Sequence, residues 1–420
     1  MNVIIRLVNK NIDIFKNIIF LLVEKILTVI LIFYSEGLIS HFLGIENYGK
    51  WIYSINFIII LSSFSLVASS EVIIPALSRH LNIAWEIISS AFLIRLFFAT
   101  IAYLGINIYF YLFIKDIDIK NMLAAISIIL LFNEPFGVIV NYYQSRVKIG
   151  IISCARILSL IVRVAFISIV LIIPSSAFIY YSRVVESIFL SILLVTIINH
   201  YNFKFKLQKK IFKIVLKRGL QMWLPLVIMF IYMRADRFFV EYYLGFNQLA
   251  LYGISIQIIE QAILLIGIII QSIAPRLLYK KNNTPIYKIL LLMIVISFII
   301  QAGIFIFLEP FIKFVFGEVY YNAIPLTISI LPALTFYVID TVLMQLIYRD
   351  LQYNLIIFKW IFMLLFSFLA YYIWFGLFRY TDISPIFILN YAVMATVTYT
   401  IRKIQTGRSK NLKSVLTKNL

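Results

Sequence analysis

Six arginines stand inside apolar stretches of this 420-residue chain: Arg95, Arg156, Arg163, Arg183, Arg234 and Arg237. A guanidinium presents a planar fork of N–H donors that matches phosphate and carboxylate oxygens. It also keeps its charge in a low-dielectric site, where lysine can lose its proton. Six of the seven basic residues placed within apolar spans are arginine, with Lys359 set aside near a span boundary. Together they predict a cationic cavity able to grip a diphosphate. The plainer reading of each is an ion pair or a side chain reaching to the membrane interface. Arg183 has Glu186 three residues on, the spacing of an intrahelical pair. Arg156 lies near a span end and can snorkel, whereas Arg163 sits mid-span with no opposite charge nearby in sequence. Seven residues apart, those two share one helical face. Arg234, Arg237 and Glu241 make one stripe, with Asp236 turned away from it.

Carboxylates in apolar stretches suggest ion coupling. Glu260, between Gln257 and Gln261, offers oxygen ligands or a proton acceptor at mid-depth, and Asp236, Glu71 and Asp340 are further candidates. A structural, hydrogen-bonded carboxyl group is the competing reading for Glu260. The serines at 62, 63, 65, 69 and 70 suit close helix packing better than a polar lining. Pro135, Pro225, Pro325 and Pro332 fall inside spans and mark kinks.

Other chemistries find no support. The single cysteine, Cys154, rules out an internal disulfide or a Cys-rich metal site. His41, His80 and His200 lie far apart and form no HExxH pair. No Walker-type glycine loop, GxSxG or zinc spacing occurs, so neither a catalytic residue nor a cofactor is expected.

The elements that position these charges must be membrane helices. Hydrophobic residues make up 63% of the chain and charged ones 13%, against about 45–50% and about 25% in soluble domains. A spanning helix needs about 20 mostly apolar residues. Such stretches lie near 17–39, 51–76, 86–114, 121–143, 150–173, 176–199, 216–242, 249–275, 286–309, 321–347, 354–378 and 384–401. The fold class is therefore all-α integral membrane, with about 12 spans. The net charge of +19 fits anionic lipid head groups better than nucleic acid, because the basic residues fall between spans. With the N-terminus inside, the cytoplasmic loops hold Arg79, Arg146, Lys148, the lysines of 204–217, Arg276, Lys280, Lys288, Arg349 and the tail over 402–418. The opposite loops hold little beyond Lys50, Lys115, Lys120, Lys313 and Arg379, so both termini are expected in the cytoplasm.

The basic stretch at the midpoint divides a lobe over 1–200 from a lobe over 216–402, with a linker at 201–215 and a tail at 403–420. The halves repeat a signature. Leu43-Gly44, Tyr48-Gly49 and Pro75 recur as Leu244-Gly245, Tyr252-Gly253 and Pro275 at nearly the same separation. Halves with six spans each point the same way and would be related by a pseudo-two-fold axis along the membrane normal.

The stretch His41-Phe42-Leu43-Gly44-Ile45-Glu46-Asn47-Tyr48-Gly49 resembles the R-x-L-G-x-E-x-Y-G turn after the first span of polysaccharide flippases. Arg234-Ala235-Asp236-Arg237 with Tyr243-Leu244-Gly245 resembles their seventh span. The chain is thus similar throughout to Wzx-type O-antigen and capsule repeat-unit flippases of the multidrug/oligosaccharidyl-lipid/polysaccharide exporter superfamily. His41 departs from the usual arginine. The resemblance implies a bacterial cytoplasmic-membrane protein with two six-helix lobes around an alternately opening cavity. It also implies a polyprenyl-diphosphate-linked oligosaccharide as cargo, with a polysaccharide polymerase and a chain-length regulator as partners. Two other classes compete. A drug or cation antiporter of the same superfamily should prefer acids to central arginines. A membrane polymerase or glycosyltransferase should carry a long outer loop, and none is present.

Overall fold

Lipid offers no hydrogen bonds to a polypeptide, so a spanning backbone must satisfy its own N–H and C=O groups, and helices do this within one segment. The computed structural model describes the backbone over residues 2–146, 149–200, 203–274, 286–349 and 353–418, and side chains over 24–146, 150–200, 203–270, 286–347 and 355–404. Lys148, Pro275, the basic residues of 276–281, the Arg349 side chain and the basic side chains beyond 404 lie outside these. In chain order the helices are α1 (Asn2–Ser65), α2 (Ser70–Arg79), α3 (Ala84–Phe113), α4 (Ile117–Ser127), α5 (Ile129–Ser145), α6 (Ile149–Ser168) and α7 (Ser176–Tyr180). They continue as α8 (Ser182–Asn199), α9 (Lys209–Ala274), α10 (Ile286–Val315), α11 (Ala323–Ile330), α12 (Ala333–Arg349), α13 (Tyr353–Tyr371) and α14 (Ser384–Lys418). Among the described residues there is no strand.

Among the described residues, ten segments are long and apolar enough to cross a membrane. Two of them, Glu24–Arg79 and Lys209–Ile270, run to 56 and 62 residues, about 85–95 Å if straight at 1.5 Å per residue. That is about three times the thickness of a hydrocarbon core. Each is broken by one glycine, Gly44 at φ 72°, ψ 173° and Gly245 at φ 83°, ψ 176°. The repeat seen in the sequence is thus a repeat of backbone geometry, in a region open essentially to glycine alone. Gly317, at φ 86° and ψ 175°, makes the same bend before α11 and carried no repeat signature. No neighbour lies within 4 Å of where a Cβ would sit on Gly44 or Gly245. The expected cost of Gly44→Ala or Gly245→Ala is therefore conformational, about 1–3 kcal/mol, read as a lower melting midpoint of the purified protein. A variant melting with the wild type would show that these turns tolerate other dihedrals.

The chain folds as two compact units, one of Met1–Gly44 and Phe57–Trp223, the other of Ile45–Asn56 and Leu224–Leu420. Within α9 the change of unit falls beside Pro225. In the first unit α5 lies between α3 and α8, with α6 along α8 and α2 against α5. Ile73 and Leu77 of α2, Ile94 of α3, Val138 and Tyr143 of α5, and Leu194 of α8 pack into one core, which Ile211 and Val215 of α9 join. Residues 203–208 cross to α9 without helix, and there the Lys206 amide donates to Ser89 Oγ at 3.0 Å. In the second unit α12 and α14 pair closely, flanked by α10, α11 and α13. Tyr232, Trp360, Met363 and Met394 form a core there.

Outward faces are apolar. On α3, Phe97, Ile101, Leu104 and Ile108 form an exposed stripe at helical spacing, while Ile94, Ala102 and Ile106 are buried. Such a stripe is stable against lipid and not against water. Some buried hydroxyls bond back onto their own helix: Ser63 donates to the Ile60 carbonyl, and Ser54 to that of Lys50 at 2.8 Å.

Candidate functional site

Charged side chains in a helical bundle are held only where neighbouring helices supply the opposite charge. In the first unit four of them form an alternating chain. The Arg183 Nη2 donates to Glu36 Oε1 at 2.9 Å, and Arg163 Nη2 donates to the same oxygen at 3.1 Å. Arg163 Nη1 then reaches Glu186 Oε2 at 3.5 Å. The helices involved are α1, α6 and α8. The pair expected within α8 is not the one formed: Arg183 points to Glu36 of α1, and Glu186 takes Arg163. A buried carboxylate on another helix outbids a half-exposed one on the same helix, because it has no water to fall back on. The Arg163 and Glu36 side chains are 2% and 3% exposed, whereas those of Arg183 and Glu186 are 28% and 24% exposed.

The second unit holds a like arrangement, built by the bend at Gly245 that folds the two halves of α9 together. Arg234 Nη1 donates to Glu260 Oε1 at 2.8 Å and to Asn56 Oδ1 at 3.0 Å. Arg237 Nη2 donates to the same Glu260 oxygen, and its Nη1 to Asp236 Oδ1 at 2.8 Å. Asp236 also accepts the Tyr252 hydroxyl. Glu260, from 23 residues along the chain, is therefore the partner of the Arg234–Arg237 stripe, and half-buried Glu241 is not. Asp236, turned away in helical projection, bends back onto its neighbour Arg237.

Arg95 does different work. Where α1 ends, Ser69 is extended and the Val72 amide donates to the Ser69 carbonyl, leaving that of Ala68 without its helical donor. Arg95 Nε fills that place at 2.8 Å, while its Nη1 donates to the Glu134 carbonyl at 3.0 Å and lies 3.8 Å from the Glu134 carboxylate. It ties α3 to the α1–α2 break and to α5. Arg156 is exposed, although it shares a face with buried Arg163, because depth along α6 and not angle around it decides burial. Glu71 is exposed in the first turn of α2. Asp340 is buried and bound to Lys359 and Thr398.

Three participants escaped the sequence reading. Glu36 lies inside the first apolar stretch and meets the same criterion as the other intramembrane acids. Lys359, set aside as a boundary residue, is fully buried. Asn56 is an ordinary polar residue in sequence, and only its contact with Arg234 marks it.

The helical fold is the one seen in solved transporters of the MOP superfamily. The chain is similar to a MOP superfamily transporter from Pyrococcus furiosus, 15% identical over 94% of this chain and 96% of that one, with a TM-score of 0.67. It is similar to the lipid II flippase MurJ in an inward closed conformation, at 14% identity over 93% and 87% of the two chains and a TM-score of 0.71. An inward-facing MATE family multidrug resistance transporter matches at 13% identity over 91% and 96%, with a TM-score of 0.65. A family model described as polysaccharide biosynthesis protein matches residues 73–325, more than half of the chain. The chain belongs to that family and is a multi-pass membrane protein. No match was found among curated proteins.

Proposed function

We propose that the chain is a flippase, moving a polyprenyl-diphosphate-linked oligosaccharide repeat unit across the bacterial cytoplasmic membrane by alternating access, for O-antigen or capsular polysaccharide synthesis. The family and the fold support the class. One observation carries the cargo: Arg183 and Arg234, the more exposed arginines of the two clusters, each share their carboxylate with a second, buried arginine. Pulling a guanidinium off a buried carboxylate ordinarily strands that charge. Here Glu36 keeps Arg163, and Glu260 keeps Arg237, so the outer arginine can turn to an anion without leaving an unpaired acid behind. A diphosphate, with several accessible oxygens, is a ligand that a guanidinium released in this way can grip in a two-pronged manner.

In this reading Arg163 and Arg237 hold the carboxylates, Arg95 holds the α1–α2 break, and Arg156 meets the interface. Glu260, whose side chain is 33% exposed, is the coupling acid, since its protonation loosens both guanidinium contacts at once. Asp236 sustains Arg237, and Glu71 lies outside both clusters. With each glycine-broken segment read as two spans, the ten candidate spans among the described residues agree with a twelve-span reading, and the basic loops support cytoplasmic termini. Anionic lipids meet those loops, and a polymerase with its chain-length regulator would take the product.

The test is reconstitution in liposomes with a defined polyprenyl-diphosphate-linked sugar, following its movement between leaflets. Arg183→Gln with Arg234→Gln is expected to lower flux at least about tenfold, roughly the loss of one charge-assisted contact in rate terms, while the protein melts near the wild type. Full flux in that double variant removes the cargo assignment. A second reading, a cation exporter of the same superfamily, is favoured by one feature: each cluster balances two arginines with two acids, so neither repels a cation. Wild-type flux of an organic cation with none of the lipid-linked sugar would select it.

A further inference from the structure

The Lys359 side chain has 0% exposure, which makes it the most deeply enclosed lysine among the described residues. A buried ammonium is costly unless its charge and its donors are both met. Its Nζ donates to Asp340 Oδ1 at 2.6 Å and lies 4.7 Å from the centroid of the Trp360 ring. The same Asp340 oxygen accepts the Thr398 hydroxyl, whose own oxygen sits 3.0 Å from the Met394 carbonyl. The three partners come from α12, α13 and α14 of one unit, and neither charge cluster touches them.

Without the ammonium, what remains is one carboxylate and one aromatic face turned on a common point, with the Thr398 hydroxyl holding the carboxylate oxygen in place. A single negative charge suits a single positive one, oxygen donors suit a hard cation, and the ring face suits an ammonium. We propose that Asp340 and Trp360, with Thr398 orienting the carboxylate, form a monovalent-cation site whose occupant is the chain's own Lys359 ammonium, tethered there in place of an exchangeable ion. Asp340 then takes no part in ion coupling, because its counter-charge never leaves. The long apolar stem of lysine lets one residue supply both the cation and the packing between α13 and its neighbours.

The site is tested by removing the tether and offering the ion free. Lys359→Ala in the full chain, purified in detergent, is expected to melt several degrees below the wild type. Methylammonium should restore much of the lost midpoint in a saturable way, with sodium weaker because it gains less from the ring face. N-methylglucamine at equal ionic strength should restore none. The wild type and Lys359→Ala with Asp340→Asn should not respond. An equal midpoint of Lys359→Ala in methylammonium, sodium and N-methylglucamine overturns the proposal. If the single variant yields no folded protein, Lys359→Met with Asp340→Asn decides: both charges are gone, so this double variant is expected to fold. Its failure to fold would show that Lys359 does more than balance a carboxylate, and would overturn the assignment equally. Melting involves no cargo, so these outcomes stand apart from the flippase reading.

Discussion

Arg163→Met is expected to destabilise the protein by about 3–5 kcal/mol, the usual cost of removing one partner from a buried ion pair. Glu186 loses its ion-pair partner, and Glu36, 3% exposed, loses one of the two guanidinium groups paired with it. The companion change settles the cause. With Glu36→Gln added, the buried site carries no net orphan charge, and most of the loss should return. Arg156→Met, seven residues away on the same helix but exposed, should fall within about 0.5 kcal/mol of the wild type. The measurement is thermal melting of the three purified variants. Arg163→Met melting with the wild type would show that the carboxylates find other partners. Equal loss in the single and double variants would show that Arg163 acts by packing and not by charge. A transport defect in Arg163→Met is then expected to follow from lost protein, in contrast to Arg183 and Arg234.

The second large effect separates two glycines that the repeat makes look equivalent. A Cβ on Gly49 would collide with the backbone carbonyl of Phe246, whereas one on Gly253 would meet chiefly the tip of the Ile52 side chain. A carbonyl moves only if its helix moves, so Gly49→Ala must push apart residues 45–56 and the second half of α9. Overpacking of that kind costs about 1–3 kcal/mol, and the backbone target puts Gly49→Ala at the top of that range. Ile52 can change rotamer, which costs about 0.5–1.5 kcal/mol, so Gly253→Ala should be the milder variant. Melting of the two variants side by side tests the asymmetry. Equal midpoints would mean that the two helices slide as easily as a side chain turns.

Much of the fold was legible because lipid imposes its demand residue by residue. Composition alone excluded a soluble globule, and apolar runs marked nearly every helix later observed. Leu43-Gly44 and Leu244-Gly245 announced two bends that share one glycine-only conformation. The arginines were conspicuous for the same reason, since each is expensive where it stands. Their partners were not conspicuous. Arg163 looked solitary because Glu36 lies 127 residues away in the chain. Glu186, close to Arg183 in sequence, turned to another helix. Asp340 looked like a free acid while Lys359, 19 residues on, was already bound to it.

By itself the sequence determined that this protein lives in a membrane, where most of its helices run, where two of them bend and which residues carry charge into lipid. Each of those properties is local: it follows from the solvent around a segment or from the dihedrals one residue can adopt. Only the tertiary structure decided which charges are balanced, which arginines are locked and which are half-free, and that a lysine serves as a resident cation. Those depend on the depth and rotation of one helix against another. Ion-pair energy changes steeply over a few ångströms in a low-dielectric interior, and no spacing along the chain encodes such distances.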